Sequence, residues 1–133
     1  MAVNEVTYQE NPGVANGALN ALFTDAWPGH VERDFQAVLA RSLGCVCAYA
    51  GRELVGFVNV AWDGGLHAFL LDPTVRSDMR HRGIGRELVS RARDLARRAG
   101  ATWLHVDYAR EHGDFYLACG FRETRAGLME LRE

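Results

Sequence analysis

The chain has 133 residues, of which 48% are hydrophobic and 24% are charged. This length and balance indicate one globular domain, residues 1–133, built around a single core. The net charge of −2 gives no electrostatic support to non-specific binding of nucleic acid. No apolar run reaches the roughly 20 residues that cross a bilayer. We therefore expect neither a nucleic-acid partner nor a membrane partner.

The cysteines and the N-terminus bear on compartment and on metal binding. Cys45, Cys47 and Cys119 cannot form a closed set of disulfides, and the spacing Cys45-x-Cys47 fits no common zinc motif. The first ten residues are polar and acidic, unlike a signal peptide. We therefore expect a cytoplasmic location, free thiols and no bound metal.

The first third of the chain predicts one strand and two helices. Val3 to Gln9 alternates weakly and indicates a short strand, after which Asn11-Pro12-Gly13 is a turn signal. Apolar residues then recur at helical spacing as far as Ala26, where Trp27-Pro28-Gly29 ends the first helix. A second helical pattern runs from Val31 to Ser42, with Gly44 as its stop.

The periodicity then changes to two. Cys45 to Ala50 and Leu54 to Ala61 are rich in β-formers and flank Gly51-Arg52, which predicts an antiparallel hairpin. Asp63-Gly64-Gly65 is a second turn signal. Leu66 to Val75 is nearly all apolar, which is typical of a strand covered on both faces.

The last part of the chain predicts a strand–helix–strand unit. Gly83 to Ala99 carries an apolar stripe at helical spacing, and Thr102 to Tyr108 is the next strand. This order indicates a right-handed crossover between parallel strands. A short helix, Asp114 to Cys119, and a last strand, Ala126 to Leu131, follow. Together these elements predict a mixed sheet with helices on both faces.

The most informative segment is the turn between the fourth strand and the long helix. Glycines there allow close approach of a ligand, and unpaired amides at a helix start attract anions. The P-loop motif fails because Arg86 follows the second glycine, and the dinucleotide motif fails because Leu88 stands where a third glycine is needed. The turn reads Arg80, His81, Arg82, Gly83, Ile84, Gly85, Arg86.

This turn resembles the pyrophosphate loop of the GNAT (GCN5-related N-acetyltransferase) superfamily, Arg/Gln-x-x-Gly-x-Gly/Ala. The family often has a proline where this chain has Ser77. Phe115 to Phe121, a short segment with Tyr116 that ends in Gly-Phe, resembles the family's second signature. Together the two signatures cover Leu66 to Phe121.

The resemblance implies a mixed, mostly antiparallel sheet of six to seven strands with helices on both faces. It also implies an enzyme that transfers an acetyl group from acetyl-CoA to a primary amine by direct attack. The loop Arg80 to Arg86 would hold the pyrophosphate. The main chain of Pro73, Thr74 and Val75 would hold pantetheine, and the N–H of Val75 would bind the thioester oxygen.

The resemblance also suggests catalytic residues. A tyrosine at position 116 would protonate the leaving thiolate, although a core aromatic is the other interpretation. Strand alternation places His105 and Asp107 on one face, and we take His105 as the first candidate base and Asp107 as the second. Some members use a glutamate on the fourth strand, where this chain has Phe69. His67 lies on that same strand.

The acceptor stays open at this stage. Acidic and aromatic residues in the first helical region suit a cationic amine or an ordinary solvated face. A small-molecule amine is our first expectation, a protein N-terminus or lysine is the second, and a CoA-binding sensor without turnover is the third. Dimerisation is common in the family, so a homodimer stays open, although the sequence shows no interface signal. The residues concerned are Asp25, Trp27, His30, Glu32, Asp34.

Overall fold

A computed structural model describes residues 5–132 of the chain. None of the helices in this range has the length and apolar character that a bilayer crossing demands. Two short 3-10 turns, Ser77–Met79 and Arg110–His112, flank the last long helix and the last strand. The elements in chain order are β1 Val6–Glu10, α1 Asn16–Ala26, α2 Gln36–Arg41, β2 Gly44–Ala50, β3 Glu53–Trp62, β4 His67–Val75, α3 Ile84–Arg98, β5 Trp103–Val106, α4 Gly113–Ala118.

The five strands lie side by side in the order of the sequence. Neighbours from β1 to β4 are antiparallel, and only β4 and β5 are parallel, with α3 as the crossover between them. The predicted hairpin and the predicted crossover are therefore both confirmed. The sheet is mixed and mostly antiparallel, as expected, but it has five strands in the described part of the chain and not six or seven.

Alternation along the strands produces one core on each face of the sheet. In β2, Val46 and Ala48 pack in the core that contains α3, whereas Cys45 and Cys47 pack in the core that contains α1. Successive side chains of a strand point to opposite faces, so α3 and α1 cover opposite faces of the sheet. The prediction of helices on both faces is confirmed.

The predicted last strand, Ala126 to Leu131, does not form. The segment from residue 121 to residue 132 has no regular secondary structure, and Leu128, Met129 and Leu131 are 90%, 80% and 86% exposed. A strand needs a hydrogen-bonding neighbour, and this segment pairs with none of the five strands. The pattern of residue types was strand-like, but the sequence could not show that this segment would join none of the five strands.

Other boundaries also differ from the sequence prediction. The side chains of β4 alternate between buried and exposed, because α1 and α2 do not cover the outer face of its first half, so this strand is not buried on both faces. α2 begins at Gln36, five residues after Val31. β5 ends at Val106 and not at Tyr108. Val3, in the predicted first strand, lies outside the described residues.

Gly56 lets α3 pack closely against β3. A Cβ at this position would lie 3.0 Å from Leu88 Cδ1, 3.1 Å from Ala48 Cβ and 3.2 Å from Ile84 Cγ2. These neighbours belong to the α3 core, where interiors are close-packed and tolerate little added volume. Because α3 carries the candidate anion-binding turn at its start, this close packing fixes the position of that turn relative to the sheet.

Gly56→Ala should lower the free energy of unfolding by about 1–3 kcal/mol, because the added methyl group overpacks the β3–α3 contact. Urea unfolding measures this change. The matched control is Gly17→Ala in α1, where an added Cβ meets nothing within 4 Å. The control should stabilise the protein by up to about 1 kcal/mol. Equal stability of Gly56→Ala and wild type would contradict the packing argument.

Candidate active site

The β4–β5 pair opens partway along its length. The parallel register joins His67 to Trp103 and continues only as far as Leu70 and Val106. β5 ends there, whereas β4 continues to Val75. Leu71, Thr74 and Val75 pair with β3 on one side, and the stretch from Leu71 to Val75 has no strand partner on the other side. An extended, peptide-like ligand can use such an edge for hydrogen bonds.

A β-bulge lies in the open part of β4. The β3–β4 register shifts between Phe57 and Asn59, and Asp72 opposite has a φ of 53°. A left-handed conformation is uncommon for a residue other than glycine and persists where neighbours hold it. Here the buried Thr74 hydroxyl donates to the Asp72 carbonyl at 2.8 Å and accepts from Trp27 Nε1 at 3.0 Å. The Thr74 side chain thus fixes the bulge, which leaves its main chain for a ligand.

The turn before α3 has the backbone of an anion site. His81 and Gly83 have φ values of 64° and 83°, and Gly83 is the residue that precedes the helix. Because Gly83 has no side chain to cap α3, the first amides of the helix lack that partner. A Cβ on Gly83 would meet nothing within 4 Å, so the turn faces open space. This geometry fits a phosphate group.

Gly85, the second glycine of the turn, lies where the start of α3, the end of β4 and α4 meet. A Cβ on Gly85 would lie 3.4 Å from Phe115 Cζ and 3.7 Å from Val75 Cγ2. The first turn of α3 is therefore close to both the end of β4 and α4. The candidate anion site, the open β4 edge and α4 consequently lie next to one another.

The arginine side chains of the turn point in different directions. The Arg80 guanidinium donates to the Ala26 carbonyl at the end of α1, and the Arg86 guanidinium donates to the Ala118 carbonyl at the end of α4, at 3.4 Å and 3.2 Å. A cation near the last carbonyls of a helix is favourable. These contacts tie the turn to its neighbours, so we expect the main chain to supply most of the phosphate contacts.

Tyr116 lies in the α3 core and is 7% exposed. Its ring stacks on Tyr108 at 4.9 Å and meets the rings of Phe115 and Phe121 edge-on. Burial, with a smaller contribution from Cys119, raises the pKa of Tyr116 to about 12. The phenol is therefore protonated at neutral pH, the state that a proton donor requires.

Two histidines meet on the exposed face of the β4–β5 pair. Nδ1 of His67 lies 2.9 Å from Nε2 of His105, so the two imidazoles share one proton between these nitrogens. The His105 ring stacks on Phe69 at 4.7 Å, since the register places these two residues opposite each other. The sequence had singled out both histidines but not their contact, which depends on the register between two strands separated by α3.

Asp107, the second candidate base, lies just beyond the end of β5. It lines a cavity of about 790 Å³ together with His105 and other residues of β5. This cavity runs along the β5 edge away from β4, between α3 and residues 118–126. The structure thus places His105 and Asp107 near each other, on the wall between this cavity and the exposed face.

The residues of the first helical region mostly make structural hydrogen bonds. Asp25 accepts from the N–H and the hydroxyl of Ser77, and these bonds hold the pKa of Asp25 below its usual range. His30 Nε2 lies 2.9 Å from Asn20 Oδ1. The Asp34 carboxylate accepts from Asn16 and Gln36. Together with Trp27, these side chains hold the loop and the bulge, and their role toward an acceptor stays a prediction.

Cys45, Cys47 and Cys119 are free thiols. Cys45 and Cys47 are buried in the α1 core, and burial raises the pKa of the half-buried Cys119. A thiol with a raised pKa is a poor nucleophile at neutral pH. Across residues 5–132, no group of three or more His, Cys, Asp or Glu side chains could hold a metal ion.

Comparisons with known proteins are consistent with this geometry. The sequence model of the Acetyltransferase (GNAT) family matches residues 16–121. A GNAT-family acetyltransferase from Streptococcus pneumoniae superimposes with a TM-score of 0.82 at 20% identity, covering 97% of this chain and 100% of the other. The sequence has no significant match among curated proteins.

Two solved complexes of an aminoglycoside N-acetyltransferase, AAC(6′)-Iy, have the same fold. Its complex with CoA has a TM-score of 0.77 at 19% identity, covering 96% of this chain and 95% of the other. Its complex with the bisubstrate analogue CoA-S-monomethyl-acetylneamine has a TM-score of 0.75 at 20% identity, covering 98% and 99%. At these identities the likeness concerns the fold.

Proposed function

Because this chain belongs to the GNAT acetyltransferase family, we propose that it transfers the acetyl group of acetyl-CoA to a primary amine of a small molecule. Family membership makes it an acetyl-CoA-dependent acyltransferase. The observation that carries the finer proposal is the opening between β4 and β5 beside an uncapped helix start. Acetyl-CoA supplies the acetyl group as an activated thioester.

The proposed cofactor contacts follow from the exposed main chain. The amides from Arg82 to Arg86 would hold the pyrophosphate, since the main chain at a helix start points its N–H groups toward an anion and adds positive potential. The β4 main chain from Pro73 to Val75 would bind pantetheine. Pro73 has no N–H, so only its carbonyl can take part. The N–H of Val75 is proposed to donate to the thioester oxygen as negative charge develops there.

His105 is the proposed general base. An amine must lose a proton before it attacks a thioester, and a positioned imidazole can accept that proton. His105 stacks on Phe69, the position where some family members carry a glutamate, so its ring occupies the neighbourhood of that carboxylate. The hydrogen bond to His67 would hold the His105 ring and share its proton. Asp107 is the alternative base.

Tyr116 is the proposed general acid, which donates its proton to the leaving thiolate. Its raised pKa keeps the phenol protonated. The exposed ring of Phe69 next to His105 supports an amine acceptor, because aromatic faces attract ammonium groups. The AAC(6′)-Iy complex with an acetylated aminoglycoside analogue supports a small-molecule acceptor by analogy of fold.

The proposal is tested by following thiol release from acetyl-CoA in the presence of amines. Small primary amines should accelerate release over the rate without acceptor, and peptides with a free N-terminus or lysine should do so less. A preference for peptides would overturn the small-molecule assignment. Binding of CoA without acceleration by any amine or peptide would favour a sensor.

Gly83→Glu should abolish measurable binding of CoA in calorimetry. The new carboxylate would project into the open space where the phosphates are proposed to lie. Like-charge repulsion of about 4 kcal/mol at about 4 Å corresponds to about a 1000-fold loss of affinity. The matched control is Gly64→Glu, since Gly64 has a φ of 82° and equally open surroundings. Unchanged affinity in Gly83→Glu would remove the turn from the site.

His105→Gln should lower kcat by about 100-fold or more with little change in CoA affinity, because the variant lacks the group proposed to accept the proton of the amine. His67→Gln should lower kcat less, because glutamine can still hydrogen-bond to His105. Tyr116→Phe should lower kcat by about 100-fold with little change in CoA affinity. His112→Gln, a change at an exposed histidine outside the proposed site, should behave as wild type. Wild-type kinetics in His105→Gln would shift the base to another residue.

A further inference from the structure

Arg33, in the loop between α1 and α2, is held at its main chain by one buried side chain. The Asn20 amide nitrogen donates to the Arg33 carbonyl at 2.8 Å, and the Arg33 N–H donates to Asn20 Oδ1 at 3.0 Å. Asn20 belongs to α1 and is 7% exposed. The loop has no regular secondary structure, yet it is fixed at the residue that carries the guanidinium.

The Arg33 side chain lies across two aromatic rings of the α1 core. Its Cζ is 4.5 Å from the centroid of the Phe35 ring and 5.6 Å from the centroid of the Phe23 ring. Aromatic faces attract a guanidinium, and its plane can stack on them. The ring contacts and the fixed main chain together direct this cation toward one place on the sheet.

That place is the bulge of β4. Arg33 Nη2 lies 3.4 Å from Asp72 Oδ2, and both side chains are about half exposed. An exposed ion pair of this kind contributes little to stability, and it leaves the cation accessible to a ligand. Asp72 directly precedes Pro73, where the stretch proposed to bind pantetheine begins. A fixed cation therefore stands next to the proposed place of the thioester.

Arg33 keeps most of its capacity to donate hydrogen bonds. A guanidinium has several N–H donors in a planar fork, and within residues 5–132 the Asp72 carboxylate is the acceptor that they reach. The other donors can hold a second carboxylate through two parallel hydrogen bonds, which is a frequent geometry of arginine–carboxylate pairs. Arg33 thus has the chemistry to bind an acidic group of a substrate.

The Arg33–Asp72 pair is complementary to an amino acid, which carries an ammonium group beside a carboxylate. When the two dipoles lie antiparallel, the carboxylate meets Arg33 and the ammonium group meets Asp72. Each charge then has a second opposite charge nearby, which is favourable by Coulomb's law. An acceptor of this class would therefore be oriented by both of its charged groups.

The surface beside this pair is open and apolar. Leu71 and Phe69 alternate with Ala68 and Leu70 of the α3 core, so they lie on the α1 side of β4. They are 40% and 38% exposed. This surface can accept the aliphatic part of an amino acid, since burial of apolar surface is favourable.

We infer that the acceptor is an amino acid whose carboxylate is bound by Arg33 and whose amine is held beside Asp72, at the open edge of β4. The inference rests on the proposed acetyl transfer and narrows its substrate class. In an α-amino acid one carbon joins the amine to the carboxylate. A carboxylate anchored on Arg33 therefore keeps the amine close to the β4 main chain at the bulge.

The reaction yields an N-acetyl amino acid and CoA. The ammonium group first loses one proton, and the neutral nitrogen then forms a bond to the acetyl carbon. The C–S bond breaks, and the sulfur leaves with the electron pair as a thiolate. The nitrogen loses a second proton, which balances the proton that the thiolate gains.

Other classes of amine lack this complementarity. The N-terminus of a peptide carries an amide beside its amine and no carboxylate at that position. A polyamine would place further positive charge near Arg33, and like charges repel. The charges at the bulge therefore favour an amino acid over both.

The test follows thiol release from acetyl-CoA by the full chain with leucine or 3-methylbutylamine, which is leucine without its carboxylate. Wild type should prefer leucine. Arg33→Gln should lower kcat/KM for leucine by about 10- to 100-fold, mainly through KM, because charge-assisted hydrogen bonds to the carboxylate are lost. The same variant should change kcat/KM for 3-methylbutylamine by less than about twofold, since that contact is absent with this acceptor.

Two controls separate recognition of the acceptor from support of the fold. Arg33→Gln should bind CoA in calorimetry with the affinity of wild type, because the main-chain contacts of residue 33 with Asn20 are kept. Arg41→Gln changes an exposed arginine whose guanidinium donates to the Ala37 carbonyl of its own helix. This variant should behave as wild type with both acceptors.

The outcomes distinguish this inference from the proposed function. An equal loss with both acceptors in Arg33→Gln, or a loss of CoA affinity, would make Arg33 a support of the loop and overturn the inference. Wild type without preference for leucine would overturn it as well. Thiol release with other amines but not with leucine would overturn the inference alone. Absence of release with every amine would overturn the acetyl transfer on which it rests.

Discussion

The parallel pairing of β4 with β5 stops after Leu70 and Val106, and the rest of the candidate site depends on that stop. A strand that loses its neighbour must satisfy its main chain elsewhere. The bulge at Asp72, fixed by Thr74 and Trp27, shifts the register of β4 against β3, and the pairing resumes at Thr74. The open edge is consequently a built feature of the sheet and not a frayed end.

The elements around the opening converge because short contacts join them. Gly56 lets α3 sit close to β3, and Gly85 lets the start of α3 approach Phe115 and Val75. Arg80 and Arg86 then bind the last carbonyls of α1 and α4. Each contact is local and modest in energy, but together they aim one helix start at one strand edge.

Local signals in the sequence were sufficient for much of this architecture. The turn from Arg80 to Arg86 was predictable because glycines permit unusual dihedrals, and Gly83 adopts one with a φ of 83°. The hairpin and α3 were predictable from the spacing of their apolar residues, which alternates in the two strands and follows the helical repeat in α3. The cofactor and catalytic roles of these residues stay predictions, since their positions alone do not test them.

Contacts between distant segments were not predictable. The bond between His67 and His105 depends on the register of two strands separated by α3. The use of Asp25 and Asp34 as structural acceptors depends on loops that fold against them. The segment from Ala126 to Leu131 has strand-forming residues, yet a strand also needs an edge to join, and no residue pattern specifies which edge is available.

The gap between β4 and β5 couples ligand binding to the stability of the fold. A ligand that binds only the folded chain adds a stabilising free energy of about 2.7 kcal/mol when its concentration is about 100 times its dissociation constant. If CoA binds in this gap as proposed, its peptide-like arm would take the place of missing sheet, and the melting temperature of the protein should rise with the concentration of CoA. At low CoA concentration the same protein would then unfold at a lower temperature.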